Sequence, residues 1–108
     1  MNFRYLHSAA RLANYSKVQL TLFSKHNCGL CDKAKVVLDQ VANDKSEFKD
    51  IAINIVDIDL PQNKEWWNRY CMDVPVLHVE NAQQPESLSK IFHKLDRLQV
   101  EAKIKELR

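Results

Sequence analysis

Glycine is nearly absent from this chain of 108 residues, which contains only Gly29. A single glycine excludes the glycine-rich loops that bind nucleotide phosphates, because such loops need several glycines at fixed spacing. No apolar run approaches the roughly 20 residues that cross a bilayer. The net charge is only +2, and no concentrated basic stripe is visible. We therefore expect neither a membrane partner nor a nucleic-acid partner.

Cysteines are few and odd in number. The three cysteines comprise one close pair, Cys28 and Cys31, and the remote Cys71. Secreted domains stapled by disulfides usually carry an even set, so this pattern argues against a disulfide framework. The remaining composition, 45% hydrophobic and 28% charged, is typical of one globular domain at this length.

Acidic residues are absent from the first 31 positions. Arg4, Arg11 and Lys17 lie there among apolar and aromatic residues, which is the composition of a mitochondrial targeting segment. A short tail without fixed structure can have the same composition. We expect residues 1–16 to be such a tail or targeting segment and residues 17–108 to form the domain, in the cytoplasm or the mitochondrion.

Hydrophobic periodicity predicts a strand, a helix and a second strand in the first half of the domain. Residues 18–23 alternate in polarity as a strand does, and apolar residues over 34–41 recur with helical spacing. The isoleucine-rich run over 51–58 predicts a buried strand. Strand, helix and strand within about 40 residues form a βαβ unit, whose two strands are parallel.

The second half of the domain completes an α/β fold class. Proline is tolerated in the first turn of a helix, and aspartate is a good N-cap. The expected elements are a helix from Pro61 to about Tyr70, a strand over 75–79, a polar connector over 80–89, a strand over 90–95 and a final helix capped by Asp96. The predicted order is strand-helix-strand-helix-strand-strand-helix.

The motif CGLC at 28–31 lies between the first strand and the first helix. Free amide groups and the helix dipole stabilise negative charge at a helix N-terminus, so a Cys28 thiolate is favoured relative to a free cysteine of pKa about 8.5. Lys25 and His26 lie just upstream and add positive potential. The thiolate is the attacking species in disulfide exchange, and Cys31 lies one helical turn later, where it can resolve a mixed disulfide.

Two other roles compete for the cysteine pair. Structural zinc needs further ligands, and Cys71, His78 and His93 are too scattered to supply them. Buried, inert cysteines at a helix start are the second alternative. A CxxC motif beside a βαβ unit is the specific context of redox chemistry, so we predict a redox site and no metal site.

Val74-Pro75 precedes the third predicted strand. A cis bond before proline has a modest cost, and here it would expose the Val74 backbone to a peptide or thiol ligand. An ordinary trans proline at the start of a strand is the alternative. In the preceding helix Trp66 and Trp67 are adjacent, so we expect one to pack on the sheet and the other to be partly exposed. His78 is expected to be structural.

Three segments carry a resemblance to a known family. Residues 23–31, FSKHNCGLC, resemble the active-site segment of glutaredoxins, including the lysine three residues before the first cysteine. Residues 70–77, YCMDVPVL, resemble the segment with their cis-proline, and residues 91–98 align with their last strand and final helix start. Over about residues 18–107 the chain is most similar to small, divergent glutaredoxin-like proteins with a CGLC motif.

The resemblance implies a thioredoxin-like fold, with a four-stranded mixed sheet flanked by helices, and glutathione-linked reduction of disulfides. It implies glutathione as co-substrate, no tightly bound cofactor, thiol or disulfide proteins as further partners, and a monomer. The residues carried over are Cys28 as nucleophile, Cys31 as resolving cysteine, Lys25 as a contact of a glutathione carboxylate, Val74 beside Pro75 as a source of backbone hydrogen bonds, and Asp96 facing the glutamyl amine.

The sequence also departs from the family at the glutathione site. Asp73 replaces a threonine, and its charge would oppose a thiolate at Cys28. His93-Lys94 replaces a glycine pair, and its side chains would obstruct a close approach of glutathione to the chain. Cys71 lies where relatives often have glycine, so a positive φ at that position would be strained. Cys71 is either a small inert residue or a third redox-active thiol.

The function predicted from these observations is that of a thiol–disulfide oxidoreductase acting through the CxxC dithiol. Two alternatives come from other classes of protein. One is a module that binds an iron–sulfur cluster between two protomers through Cys28 and glutathione. The other is a non-catalytic adaptor that uses the fold and its tryptophans to contact a partner.

Overall fold

The computed structural model describes residues 18–43, residue 48 and residues 51–108. The expected tail or targeting segment, residues 1–16, lies outside the described residues. Within the described ranges, no helix has both the length and the apolar character that crossing a bilayer requires.

In the part of the chain that the structure describes, four strands and three helices follow one another in the predicted order. The strands are β1 (Val18–Ser24), β2 (Ala52–Asp57), β3 (Val76–Asn81) and β4 (Gln84–Phe92), and the helices are α1 (Gly29–Ala42), α2 (Lys64–Tyr70) and α3 (Arg97–Leu107). A short 3₁₀ turn over Pro61–Asn63 precedes α2, with proline in its first turn as expected. The α/β fold class is therefore confirmed.

The strands form one mixed sheet in the order β2-β1-β3-β4. β1 and β2 are parallel, as the βαβ unit predicts, and β3 runs antiparallel to both β1 and β4. In the centre of the sheet, Leu22 pairs with Ile55 on one side and with Leu77 on the other. The carboxyl ends of β1 and β2 consequently lie at the same edge, which is where the segment with the cysteine pair begins.

Helices cover both faces of the sheet because successive strand residues point to opposite faces. On one face, α1 and α3 pack a large core whose members include Leu22, Leu38 and Ile104. On the other face, α2 packs through Tyr70 against Phe23. The smaller second cluster also contains Cys31 and Val74, so the cysteine pair is attached to it.

The prediction of a polar connector over 80–89 is wrong. A turn at residues 82–83 joins β3 to β4, and the Asn81 side chain accepts a hydrogen bond there from the Gln83 amide, with N···O 2.9 Å. β4 is an edge strand, where Pro85 is tolerated. Most of β4 is exposed, so its sequence lacks the apolar residues that identify a buried strand.

Substitutions in α1 test the position of the core. Leu38 is fully buried, whereas Val36 on the same helix is 56% exposed. We expect Leu38→Ala to lower the free energy of unfolding by about 2–5 kcal/mol, because it leaves a cavity. The control Val36→Ala should change it by less than about 0.5 kcal/mol. Urea unfolding followed by circular dichroism measures both values, and equal losses would contradict this placement of α1.

Candidate redox site

Cys28 and Cys31 are joined by a disulfide, with their Cα atoms 5.2 Å apart. Cys28 is the N-cap of α1, and its sulfur accepts a hydrogen bond from the Cys31 amide, with N···S 3.1 Å. Cys28 is half-buried and Cys31 is fully buried. The more accessible cysteine thus lies where the helix dipole stabilises a thiolate, and the buried one lies behind it. This arrangement suits an attacking thiolate at Cys28 and a resolving thiol at Cys31.

The Val74-Pro75 bond is cis, which is one of the two alternatives left open by the sequence. Val74 packs in the same cluster as the cysteine pair. Its amide donates to the Tyr70 carbonyl, with N···O 3.1 Å. A ligand that seeks the Val74 amide must therefore compete with Tyr70 for it.

Lys25 follows β1 and directs its ammonium to the end of α2. Its Nζ donates to the Cys71 carbonyl oxygen at 2.9 Å and lies 5.9 Å from the centre of the Trp67 ring. Cys71 is the C-cap of α2, and cations near the C-terminus of a helix are favoured. The ammonium that the resemblance assigned to a glutathione carboxylate has a hydrogen-bond partner within the chain.

His26 contacts two aspartates at the end of β2. Its ring Nε2 lies 2.7 Å from Asp57 Oδ2, and its backbone N–H donates to Asp59 Oδ2 with N···O 2.6 Å. The three side chains are of types that bind metals, and their ligand atoms lie within 4.8 Å of one another, but they are already hydrogen-bonded within the group. The partners are 31 and 33 positions from His26 in the sequence, so no local pattern could have revealed these contacts.

Asp96 is the N-cap of α3, as predicted, and its carboxylate accepts a hydrogen bond from the Leu98 amide, with N···O 3.1 Å. Just before it, His93 has a φ of 65°. The His93 amide donates to the Pro75 carbonyl, with N···O 2.8 Å, which joins this segment to the cis-proline segment. His93 thus occupies a left-handed conformation that favours glycine, at the position where the resemblance to glutaredoxins places a glycine pair.

The positive φ considered at Cys71 does not occur. Cys71 has a φ of −57°, which is ordinary helical geometry that any residue adopts. The glycine-like backbone is at His93 instead. Cys71 is a half-buried free cysteine that packs against the second cluster.

Aromatic rings fill the space between the sheet and α2. The Phe23 and Trp66 ring centroids are 4.4 Å apart, whereas the neighbouring Trp67 is 38% exposed, which confirms the expected division of the two tryptophans. The Tyr70 hydroxyl lies 2.8 Å from Nε2 of the buried His78. Burial, reinforced by two nearby cations, lowers the pKa of His78 from 6.5 to about 4. His78 is therefore neutral at neutral pH and belongs to the packing of this cluster.

The lowered pKa of His78 predicts a pH-dependent stability. His78 takes up a proton near pH 6.5 in the unfolded chain and only near pH 4 in the folded chain. The free energy of unfolding therefore contains the full contribution of neutral His78 above pH 6.5, and this contribution decreases as the pH falls to 4. We expect a loss of about 2–3 kcal/mol over this window. His78→Phe should lack this component. Urea unfolding of both proteins at several pH values measures the difference, and parallel pH profiles would contradict the assignment.

The positive φ of His93 predicts that a glycine at this position stabilises the protein. The left-handed conformation costs a residue with a Cβ about 1–2 kcal/mol, and glycine avoids most of that cost. We expect His93→Gly to raise the free energy of unfolding by about 0.5–1 kcal/mol after the entropy of glycine in the unfolded chain is included. Lys94→Gly, at a position without positive φ, is the matched control and should not stabilise. A loss of stability in His93→Gly would refute the interpretation.

Solved structures establish the fold at low sequence identity. Chloroplastic thioredoxin z superposes with a TM-score of 0.72 at 16% identity, covering 98% of this chain and 95% of the thioredoxin. A mutant thioredoxin from Halobacterium salinarum gives a TM-score of 0.67 at 19% identity, covering 95% and 88% respectively. The predicted thioredoxin-like fold is confirmed.

Sequence comparison identifies the family. The curated glutaredoxin-like protein YDR286C homolog from Dictyostelium discoideum is 28% identical over 65 residues, which is 60% of this chain. The match also spans 60% of the length of that relative. Residues 19–105 match the family described as glutaredoxin-like domain (DUF836). Because this match covers most of the chain, the protein belongs to the glutaredoxin-like domain family of thioredoxin-fold proteins.

Proposed function

We propose that this protein is a thiol–disulfide oxidoreductase that reduces protein disulfides or glutathione mixed disulfides. The observation that carries the proposal is the position of the cysteine pair, with half-buried Cys28 as the N-cap of α1 and buried Cys31 one turn later. A thiolate at a helix N-terminus is stabilised and remains accessible, and both properties are needed for attack on a disulfide.

The reaction starts from the reduced pair. The Cys28 thiolate attacks one sulfur of the substrate disulfide, a Cys28–substrate disulfide forms, and the other substrate sulfur leaves as a thiolate. Cys31 then loses its proton and attacks the Cys28 sulfur, which releases the second substrate thiolate. Two electrons pass from the dithiol to the substrate, and the product is the Cys28–Cys31 disulfide found in the structure.

Glutathione is the proposed co-substrate that restores the dithiol. One glutathione thiolate opens the Cys28–Cys31 disulfide by forming a mixed disulfide with Cys28, and a second glutathione releases Cys28 and leaves as oxidised glutathione. The proposed contacts are Val74 with Pro75 and Asp96, whose segments are connected by the hydrogen bond between the His93 amide and the Pro75 carbonyl. A thioredoxin-type dithiol is the competing reductant, because His93 and Lys94 replace the glycine pair of the family.

Serine variants of the two cysteines test the mechanism. Cys28→Ser should abolish exchange, because a serine hydroxyl is not a nucleophile towards disulfides at neutral pH. Cys31→Ser should retain turnover of a glutathionylated peptide, which needs only Cys28, and lose turnover of an internal peptide disulfide. Reduction of both substrates is measured with glutathione and with a thioredoxin system side by side. Full activity of Cys28→Ser would refute the proposed mechanism.

A further inference from the structure

We propose that Lys25 and His26 are positioning residues that hold the turn in front of Cys28 in the shape needed for attack. The inference rests on the proposed function, because the position of Cys28 matters only if its thiolate is the nucleophile. We call the contacts that hold this turn the loop clamp. They are the hydrogen bonds from Lys25 Nζ to the Cys71 carbonyl, from the His26 backbone N–H to Asp59 Oδ2, and between His26 Nε2 and Asp57 Oδ2.

The turn needs such support because Asn27, directly before Cys28, has a φ of 54°. A non-glycine residue in this left-handed region is uncommon, although asparagine tolerates it better than most residues, and it persists where the surrounding structure holds both flanks. On the C-terminal side of Asn27, the Cys31 amide donates to the Cys28 sulfur and the Asp32 amide donates to the Cys28 carbonyl, each at 3.1 Å. The loop clamp holds the N-terminal side of Asn27, through Lys25 and His26.

The His26 contacts are firm because their acceptors are fixed as well. The Asp59 amide donates to Asp57 Oδ1, with N···O 2.9 Å, so the two carboxylates have a defined relative position. Just before Asp59, the Ile58 amide donates to the Ser24 carbonyl at the end of β1, with N···O 2.9 Å. The two aspartate side chains are 30% and 25% exposed, whereas the His26 side chain is 69% exposed. The support therefore comes from the geometry of the acceptors, and not from burial of the contacts.

The Lys25 contact attaches the same turn to α2. The Cys71 carbonyl that accepts from Lys25 Nζ belongs to the C-cap of α2, and the Cys71 amide donates to the Trp67 carbonyl, with N···O 2.9 Å. The acceptor is therefore held by the helix, and Lys25 connects the end of β1 to it. This contact assigns Lys25 a role in shaping the turn, rather than the role of a glutathione ligand that the family resemblance implies.

Charge and positioning make opposite predictions at Asp59. If its carboxylate acted only through its charge, its removal would favour the Cys28 thiolate and speed its reactions. If the Asp59 carboxylate acts as the acceptor for the His26 N–H, its removal makes the turn less ordered and slows the reactions of the Cys28 thiolate. Asn and Ala variants separate the two effects, because both remove the charge but only asparagine keeps a side-chain oxygen that can accept from the His26 N–H.

The first test compares Asp59→Asn with Asp59→Ala in the reduced protein. The readout is the rate of Cys28 alkylation by iodoacetamide at neutral pH, followed by peptide mass spectrometry, which requires no disulfide exchange. We expect Asp59→Asn to react at least as fast as the unmodified protein and Asp59→Ala about tenfold more slowly than Asp59→Asn. Equal rates in the two variants would overturn the proposal, as would a faster Asp59→Ala.

The second test uses Lys25→Met and stays informative if Asp59→Ala does not fold. We expect Cys28 alkylation to slow about fivefold, and turnover of a neutral peptide disulfide and of a glutathionylated peptide to fall by that same factor. Lys33→Met, which removes an exposed lysine on α1, is the charge-matched control and should leave the alkylation rate unchanged. A raised KM for the glutathionylated peptide alone, with unchanged alkylation, would identify Lys25 as a ligand and overturn its positioning role.

These outcomes also separate the inference from the proposed function. If the unmodified protein reduces neither peptide, the oxidoreductase proposal fails on that observation alone. The alkylation rates of the Asp59 variants then still decide whether the loop clamp sets the reactivity of Cys28.

Discussion

The amide groups in the first turn of α1 have no hydrogen-bond acceptor within the helix. In this protein the sulfur of Cys28 accepts a hydrogen bond from one of them, the Cys31 amide. Cys28 is at once the N-cap of the helix and the accessible member of the disulfide. The same electrostatic field that favours a capping acceptor also favours a thiolate at this position. The cap of α1 and the proposed redox chemistry thus involve the same sulfur atom.

The topology of the sheet brings the supporting groups to this helix end. β1 and β2 are parallel, so their carboxyl ends lie together. The last residue of β2, Asp57, and Asp59 in the loop after it contact the turn after β1. β3 is antiparallel to β1 and therefore starts at the same edge, where Val74 and Pro75 precede it. Strand order and strand direction together bring three segments that are distant in sequence to the edge where Cys28 lies.

The sequence predicts the parts of this arrangement that depend on local patterns. The helical spacing after the cysteine pair, the isoleucine-rich second strand and the Asp96 cap are all found as expected. The sequence predicts the fourth strand over 90–95, but β4 begins at Gln84 and ends at Phe92. Its first part has the sequence of a connector because it lies exposed at the sheet edge, where the apolar pattern is weak and Pro85 is tolerated. The loop clamp and the pair of Tyr70 with His78 are long-range or buried contacts with no local signal, and only the folded chain reveals them.

Trapping the first intermediate tests most directly whether Cys28 is the attacking thiolate. The reduced protein is mixed with a peptide disulfide, quenched in acid at short times and mapped by mass spectrometry. We expect a peptide mixed disulfide on Cys28 that converts to the Cys28–Cys31 disulfide as the peptide is released. Peptide attached first to Cys31 or to Cys71, or no mixed disulfide with either cysteine of the pair, would contradict it.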